Sequence, residues 1–331
     1  MTATLTIEPS DARPLTARKA ARIHLFGPPD VITLETVEPK LPGEGEVLVR
    51  VHAAGVGPWD AWIRAGKSAL PQPLPLTLGS DISGVIEAVG QGVTGFAPGE
   101  AVLGVTNARF TGGYADYAIA TASMLAKKPV ALSHIDAAAV PVVAVTAWQA
   151  LFEQAGLSQG QTVLIHGAAG SVGAYAVQLA HWAGLRVIAT AGAGDLAYVR
   201  GLGADTVLDY RATRFEDDVH DADAVVDLVG NDVQTRSFAV LKRGGALISA
   251  VSPPDQTLAA QHGVRAAFFL VDVTTERLAR IAAMIETGAL ATSVGAVLPL
   301  AAARVAHEML EGNRPRPRGK IVLRVAETGE A

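Results

Sequence analysis

Cysteine is absent from all 331 residues of the chain. Without a thiol the protein cannot form disulfides, use a thiolate nucleophile, hold an iron–sulfur cluster or build a thiolate zinc site. These chemistries are therefore excluded before any motif is considered.

Charged residues are also scarce. They make up 18% of the chain, against about a quarter in an ordinary protein. Together with a hydrophobic content of 50%, this indicates large buried cores and a subunit interface. The net charge is −5, and the one basic run, 314–318, is typical of a solvated loop. We therefore expect no nucleic-acid partner.

A long apolar run of the membrane-spanning type is missing as well. The longest nearly uncharged stretch, 137–152, is too short and contains Pro141, so it is typical of a buried helix at a domain junction. Residues 1–20 carry charges and prolines instead of the continuous apolar core of a signal peptide. We expect a loose extension over 1–20, no membrane contact and a cytoplasmic protein.

What the sequence does contain is a glycine-rich turn between a strand pattern and a helix pattern. A strand predicted over 163–166 runs into His166-Gly167-Ala168-Ala169-Gly170-Ser171-Val172-Gly173 and then into a helix predicted over 172–183. Gly170 lets the backbone approach a pyrophosphate, and Gly173 lets the helix pack against the strand. Free N–H groups and the helix dipole favour the anion. The pattern predicts a dinucleotide site; the alternative is a tight turn with no ligand.

Strands and helices alternate from about residue 163 to 251, and the strand patterns are apolar throughout. That alternation predicts an α/β fold with a doubly wound parallel sheet covered on both faces. Residues 21–133 instead show short strand runs between Gly- and Pro-rich turns, which predicts a small β-barrel whose first strand covers 23–26. We also expect a helix over 135–152 that is bent at Pro141 or starts there, and an edge strand over 268–271.

Several motifs occur in one order between about residues 20 and 326. They are Phe26-Gly27-Pro28-Pro29, Ala54-Gly55-Val56-Gly57-Pro58-Trp59-Asp60, Leu78-Gly79-Ser80-Asp81-Ile82-Ser83-Gly84, Gly112-Gly113-Tyr114-Ala115-Asp116-Tyr117, Val145-Thr146-Ala147-Trp148-Gln149-Ala150-Leu151-Phe152, the glycine-rich turn, Leu202-Gly203-Ala204-Asp205 with Asp209-Tyr210, and Arg318-Gly319-Lys320-Ile321-Val322-Leu323. This set resembles the zinc-free quinone oxidoreductases of the medium-chain dehydrogenase/reductase superfamily.

The resemblance implies a division of the chain. A GroES-like substrate domain would cover 21–133 and a Rossmann dinucleotide-binding domain 134–272. Residues 273–331 would complete the fold, with the last strand returning to the substrate domain. The active site would lie in the cleft between the domains. A homodimer is also implied, and the apolar edge strand over 268–271 offers an edge for pairing.

The zinc-dependent branch of the superfamily needs ligands that this chain lacks. Its cysteine after the Ala-Gly pair is replaced by Val56-Gly57, and its Gly-His-Glu motif by Gly79-Ser80-Asp81. Without a thiolate or a histidine there, we expect no bound metal. The hydride acceptor must then be intrinsically electrophilic, as quinones and α,β-unsaturated carbonyls are.

Asp60 and Thr146 are the candidate catalytic residues. Asp60 matches a common acidic position of the family and either contacts substrate or cofactor or caps a short helix. By resemblance Thr146 lies beside the nicotinamide; alternatively its hydroxyl bonds to its own helical turn. Trp59 and Trp62 either wall an aromatic acceptor site or pack in the barrel core. Gly57 replaces an asparagine that is frequent in the family, which removes a polar side chain.

The predicted cofactor site combines the glycine-rich turn with the ends of later strands, where dinucleotides bind in such sheets. Its residues are Thr146, Ala169, Gly170, Ser171, Val172, Gly173, Thr190, Ala191, Tyr210, Val229, Gly230, Ala250, Val251, Phe269, Leu270 and Val271. By resemblance, the last three close over the nicotinamide.

The segment Thr190-Ala191-Gly192 favours NADP over NAD. NAD enzymes place an acidic residue near this point to bind the ribose, and the segment has none. Relatives that bind NADPH usually offer Lys or Arg a few residues later, where this chain has Gly194-Asp195-Leu196. By resemblance Tyr210 lines the phosphate pocket, and Arg211 either supplies the missing charge or is a solvated loop residue.

These observations predict zinc-independent hydride transfer from NADPH to a quinone or an α,β-unsaturated carbonyl. Two other functions remain open. One is an enoyl reductase that acts on a thioester-like chain, which a fused carrier domain would favour. The other is a nucleotide-binding sensor or structural protein with little turnover, for which Gly57 leaves room.

Overall fold

A computed structural model describes residues 18–38 and 40–326. Its strands are β1 Arg18–Ile23, β2 Thr33–Val37, β3 Glu46–Val56, β4 Leu76–Thr77, β5 Asp81–Val89, β6 Ala101–Val105, β7 Tyr117–Thr121, β8 Leu125–Lys127, β9 Thr162–Ile165, β10 Arg186–Ala191, β11 Thr206–Asp209, β12 Ala222–Asp227, β13 Leu241–Ser249, β14 Arg265–Phe268, β15 Val294–Pro299 and β16 Lys320–Arg324.

Helices connect these strands. They are α1 Pro58–Arg64, α2 His134–Ala138, α3 Pro141–Trp148, α4 Ser171–Trp182, α5 Leu196–Gly201, α6 Phe215–Asp218, α7 Asn231–Arg236, α8 Gln256–His262, α9 Thr275–Glu286 and α10 Ala303–Leu310. A π-helical turn, Gln149–Gln154, continues α3. Within the described ranges, no helix is long and apolar enough to cross a membrane.

The strands β9 to β14 form a parallel sheet in the order β11-β10-β9-β12-β13-β14. Both faces are covered, because Val163 and Ile165 of β9 belong to one buried cluster and Leu164 belongs to another. The doubly wound prediction is therefore confirmed. The strand order reverses between β9 and β12, and such sheets bind ligands outside the carboxyl ends of the strands at this point.

A second, mostly antiparallel sheet forms the barrel. Its order is β15-β16-β3-β5-β6-β8, and β7 also pairs with β3. The last strand, β16, pairs antiparallel with β3, with Leu323 opposite Ala54. A smaller sheet, β2-β1-β4, lies beside it. The N-terminal and C-terminal parts of the chain thus share one sheet.

The predicted start of the barrel was wrong. β1 begins at Arg18, so the extension does not reach residue 20, and the first strand is not at 23–26. Ala20 and Ala21 are each 1% exposed, whereas Leu25 and Phe26 are largely exposed. Alanine has a weak strand propensity, so the two large apolar residues after the strand gave the stronger signal. Residues 1–17 lie outside the described residues.

The edge strand is also displaced from its predicted position. β14 pairs with β13 over Arg265–Phe268, and residues 269–271 follow the strand. The strand contains arginine and two alanines, so the apolar run 268–271 was the more obvious pattern. Residues 269–271 instead form the start of the connection to α9.

The helix predicted over 135–152 is broken into parts. α2 ends at Ala138, and α3 begins at Pro141, which has no N–H and a φ suited to a first helical position. The residue before Pro141 is Val140, whose side chain cannot cap a helix. The N–H of Val142 donates instead to Oδ1 of Asp81 in β5, over 3.2 Å. A barrel strand therefore caps the helix that leads into the parallel sheet.

Candidate active site

The glycine-rich turn connects β9 to α4 at the switch point of the parallel sheet. Gly167 has φ +70°, which favours glycine. A Cβ on Gly173 would lie 2.3 Å from the carbonyl oxygen of Gly167, so the helix packs directly on the turn. A Cβ on Gly170 would meet one atom within 4 Å, that same oxygen at 3.2 Å. Gly170 thus faces open space at the start of α4, where a pyrophosphate can approach.

His166 is buried directly after β9 and contacts the end of the neighbouring strand β10. Its Nε2 lies 3.1 Å from Oγ of Ser237, and its Nδ1 lies 2.9 Å from Oγ1 of Thr190. Ser237 donates to the carbonyl of Val233, so it accepts from Nε2–H, and Nδ1 accepts from Thr190. Burial lowers the pKa of His166 to about 4. His166 is therefore a neutral positioning group, and the Thr190 hydroxyl points inward.

Asp227, which the sequence analysis did not single out, organises the ends of β12 and β13. It is fully buried, and its Oδ1 accepts from the N–H groups of Val229 and Gly230 over 3.0 and 2.7 Å. Its Oδ2 accepts from the hydroxyl of Ser249 over 2.9 Å. The hydroxyl oxygen of Ser249 in turn accepts from the N–H of Val251. One carboxylate thus shapes two predicted cofactor segments.

The exposed rim of this edge carries further predicted residues. Tyr210 is 55% exposed, and a Cβ on Gly192 would lie 3.7 Å from its ring, so the two residues face each other. The guanidinium of Arg211 lies 5.4 Å from the centroid of the Tyr210 ring. Val229 and Leu270 are also exposed, whereas Ala191 is buried.

On the barrel side, Trp59 fills the space beside Gly57. A Cβ on Gly57 would lie 2.2 Å from the indole ring of Trp59, so this ring position requires glycine. The indole N–H donates to Oγ of Ser80 over 3.0 Å. The ammonium of Lys320 lies 4.3 Å from the ring centroid, and Phe110 meets the ring edge at 6.4 Å between centroids. Trp62, in contrast, is 51% exposed.

Asp60, the next residue along α1, is fully buried. Its Oδ2 accepts from the N–H of Gly57 and from the hydroxyl of Tyr114, each over 2.8 Å. Burial raises the pKa of Asp60 to about 7, although these two hydrogen bonds and nearby Lys320 oppose the shift. The carboxyl group thus caps α1, and its contact with a substrate stays a prediction.

Thr146 lies on α3 at the junction of the two sheets. It is 6% exposed, and its hydroxyl donates to the carbonyl of Val142 over 2.7 Å. The alternative of a hydroxyl bonded to its own turn is therefore present in the structure. The oxygen keeps a lone pair that can accept from another donor, and its contact with the cofactor stays a prediction.

Comparisons with known proteins identify the family. The family described as alcohol dehydrogenase GroES-like domain matches residues 43–130, and that described as zinc-binding dehydrogenase matches 202–323. Human quinone oxidoreductase is 32% identical over 324 residues, covering 92% of this chain and 97% of the human protein. The chain belongs to the quinone oxidoreductase branch of the medium-chain dehydrogenase/reductase superfamily.

Solved structures agree with this assignment to the medium-chain superfamily. The quinone oxidoreductase from Coxiella burnetii superposes with a TM-score of 0.87 at 32% identity, covering 94% of this chain and all of that one. A mycobacterial protein solved in complex with NADPH gives a TM-score of 0.82 at 31% identity, covering 92% and 99%. The predicted fold class, a GroES-like barrel with a Rossmann sheet, is confirmed.

The residues at the zinc positions of this medium-chain reductase do not fit a zinc ion. Ser80 accepts from the Trp59 indole, and Oδ2 of Asp81 accepts from the ammonium of Lys320 over 2.8 Å. Gly57 offers no side chain. A dication would have to enter beside an ammonium with neither a thiolate nor an imidazole to bind it. The described ranges also hold no group of three or more His, Asp and Glu residues suited to a metal.

Two positively charged side chains of the site, Lys320 and Arg318, were not predicted from the sequence. Lys320 is 3% exposed and ends up beneath Trp59. Arg318, assigned to a solvated basic loop, binds the carboxylate of Asp195 and the carbonyl of Gly194 and stacks on Tyr198. Both contacts join residues more than 100 positions apart, so no local pattern could reveal them; the Arg318-Gly319-Lys320 motif was the one available signal.

The turn geometry predicts opposite effects for its two glycines. Gly170→Glu should abolish NADPH binding, because a carboxylate would occupy the pyrophosphate position, and should lower the unfolding temperature of the apoprotein less than Gly173→Ala does. Gly173→Ala should destabilise the fold by about 1–3 kcal/mol, because its Cβ overpacks the turn. Fluorescence titration and thermal unfolding measure both effects. Unchanged NADPH affinity in Gly170→Glu would refute the site.

Asp60 should make stability depend on pH. The pKa of Asp60 is about 7 in the folded protein, above the ordinary 3.8. Its contribution to the free energy of unfolding is therefore fully present below about pH 4 and is lost as pH rises to about 7. Asp60→Asn should therefore gain stability relative to wild type over this interval, by at most about 4 kcal/mol. Urea unfolding at several pH values measures the gain. The exposed Asp218→Asn is the control, and parallel curves for Asp60→Asn and wild type would contradict the assignment.

Proposed function

We propose that this protein transfers hydride from NADPH to a quinone or an α,β-unsaturated carbonyl without zinc. One observation carries the proposal: the glycine-rich turn faces open space, while the side chains at the zinc positions are already satisfied by Trp59 and Lys320. Since Gly57, Ser80 and Asp81 offer no Lewis acid site that would polarise a simple ketone, an acceptor that is electrophilic by itself is favoured.

NADPH, when bound, supplies the hydride from C4 of its nicotinamide ring. The residues of the chain provide binding, orientation and exclusion of water. The turn at Gly170 and the start of α4 would hold the pyrophosphate, and the strand ends shaped by Asp227 would line the path towards Thr146.

The region after β10 supports NADP over NAD. Neither Gly192 nor Tyr210 carries a carboxylate, and Arg211 carries a positive charge beside the Tyr210 ring. Asp195, the nearest acid that follows, is paired with Arg318, so it does not repel a 2′-phosphate. The mycobacterial relative solved with NADPH agrees with this preference.

The preference predicts a selective effect of Arg211. Arg211→Ala should raise the KM for NADPH about 5- to 30-fold, as expected for the loss of a charge-assisted hydrogen bond of about 1–2 kcal/mol, and leave the KM for NADH unchanged. The matched control is Arg214→Ala, which removes an exposed arginine three residues further along. Equal effects of Arg211→Ala on both coenzymes would argue against a 2′-phosphate contact.

The barrel side supports a flat, aromatic acceptor. Trp59 presents an indole ring in the cleft region, and Phe110 extends the aromatic surface. The Lys320 ammonium, which is paired with Asp81, lies 4.3 Å from the ring centroid and helps to hold the indole in place. Quinones match this surface better than small aliphatic enals do.

An acceptor panel tests the function directly. NADPH oxidation should occur with 9,10-phenanthrenequinone and 1,4-benzoquinone, and more weakly with 2-alkenals, and added zinc should not increase it. Gly170→Glu should be inactive throughout. Turnover confined to a thioester enoyl substrate would favour an enoyl reductase, and tight NADPH binding with no turnover would favour a sensor. A cytoplasmic location and a homodimer also belong to the proposal, and sedimentation tests the latter.

A further inference from the structure

The segment 269–274, here called the strap, connects β14 to α9. It starts at the carboxyl edge of the parallel sheet, where the N–H of Phe269 donates to the carbonyl of Ser249 over 3.3 Å. Phe269 and Val273 are buried, whereas Leu270 is 66% exposed. The strap is therefore anchored by apolar residues at two points and presents an exposed leucine between them.

The middle of the strap is bound by a buried glutamine. Oε1 of Gln149 accepts from the N–H of Asp272 over 2.9 Å, and Gln149 is 4% exposed. Gln149 is the first residue of the π-helical turn after α3, one turn beyond Thr146. One helix thus carries both the candidate nicotinamide contact and the group that holds the strap.

An arginine from α9 strengthens the same connection. Arg277 donates from Nε and one terminal nitrogen to the two oxygens of Glu153, over 2.9 and 2.7 Å. Its other terminal nitrogen donates to the carbonyl and carboxylate oxygens of Asp272, over 2.8 and 2.6 Å. Both backbone polar groups of Asp272 are thus bound, one by Gln149 and one by Arg277. The bidentate geometry makes this clamp directional.

We propose that Gln149 is a positioning residue that sets how fast the dinucleotide leaves the site. This inference rests on the proposed function. A dinucleotide bound along the carboxyl edge of the sheet would lie beside the strap, so its nicotinamide end would leave when the strap moves away from α3. That movement breaks the bond between Gln149 and Asp272 and exposes a backbone N–H that the native fold satisfies.

The test is the dissociation rate of NADPH, measured by stopped-flow displacement from the full-length protein. Gln149→Ala should raise this rate about 3- to 10-fold, as expected for one hydrogen bond, and should raise the association rate in the same direction because the same bond holds the strap in the apoprotein. Hydrogen exchange of residues 268–274 in the apoprotein should accelerate in parallel. Should Gln149→Ala not fold, Glu153→Gln weakens the clamp and is expected to change both readouts in the same direction.

Gln178→Ala is the matched control. Gln178 on α4 binds a loop in the same way, since its Oε1 accepts from the N–H of Ala291 over 2.8 Å. It should show a similar loss of thermal stability but a wild-type NADPH dissociation rate. If both variants speed dissociation equally, or if the strap exchanges faster while NADPH leaves at the wild-type rate, the proposal is wrong.

The same measurements separate this proposal from the proposed function. A wild-type protein that binds no NADPH would overturn the hydride-transfer function and the release role together. Normal NADPH binding and turnover with an unchanged dissociation rate in Gln149→Ala would overturn the release role alone.

Discussion

The buried carboxylate of Asp81 holds the candidate active site together. Its Oδ2 accepts from Lys320 of the last strand, and its Oδ1 accepts from the N–H of Val142 at the start of α3. The two bonds join a barrel strand, the C-terminal strand and the helix that leads into the parallel sheet. Removing one partner of a buried ion pair typically costs about 3–5 kcal/mol, because the other charge is left uncompensated. The relative placement of the two sheets therefore depends on this residue.

Gly57 and Trp59 form a single structural unit. In the sequence, Gly57 looks like the loss of a polar side chain from the site. The structure shows that the space is taken, because any Cβ at position 57 would lie within 2.2 Å of the Trp59 ring. The indole also binds Ser80 and covers the ammonium of Lys320. Position 57 therefore carries no side chain, and the ring of Trp59 occupies its place next to a buried cation.

The sequence predicted those parts of the fold that depend on local pattern. The apolar strands of the parallel sheet, the turn at Gly170 and the break before Pro141 all follow from the identities of neighbouring residues. The pattern failed for β1, where two alanines fill the barrel, and for β14, where Phe268 to Leu270 gave a stronger signal than the true strand. In both places the strand forms by pairing with a strand distant in sequence, which local propensity does not report.

In the candidate site, too, the sequence predicted the residues that follow a local pattern and missed those whose role depends on distant contacts. The glycine positions were predictable because a dinucleotide turn imposes a fixed spacing. Asp227 was not, because its role comes from accepting N–H groups of its own turn and the hydroxyl of Ser249 on the next strand. Arg318 was placed in a solvated loop because its partners, Gly194 and Asp195, lie 124 and 123 positions away.

The helix α3 connects these long-range contacts. Its first turn is capped by Asp81 from the barrel, Thr146 lies in its last turns, and Gln149 directly after it holds the strap. The two ends of one short helix are therefore fixed by different parts of the fold. Asp81 of the barrel therefore contacts one end of α3, and the strap is bound by the residue that follows its other end.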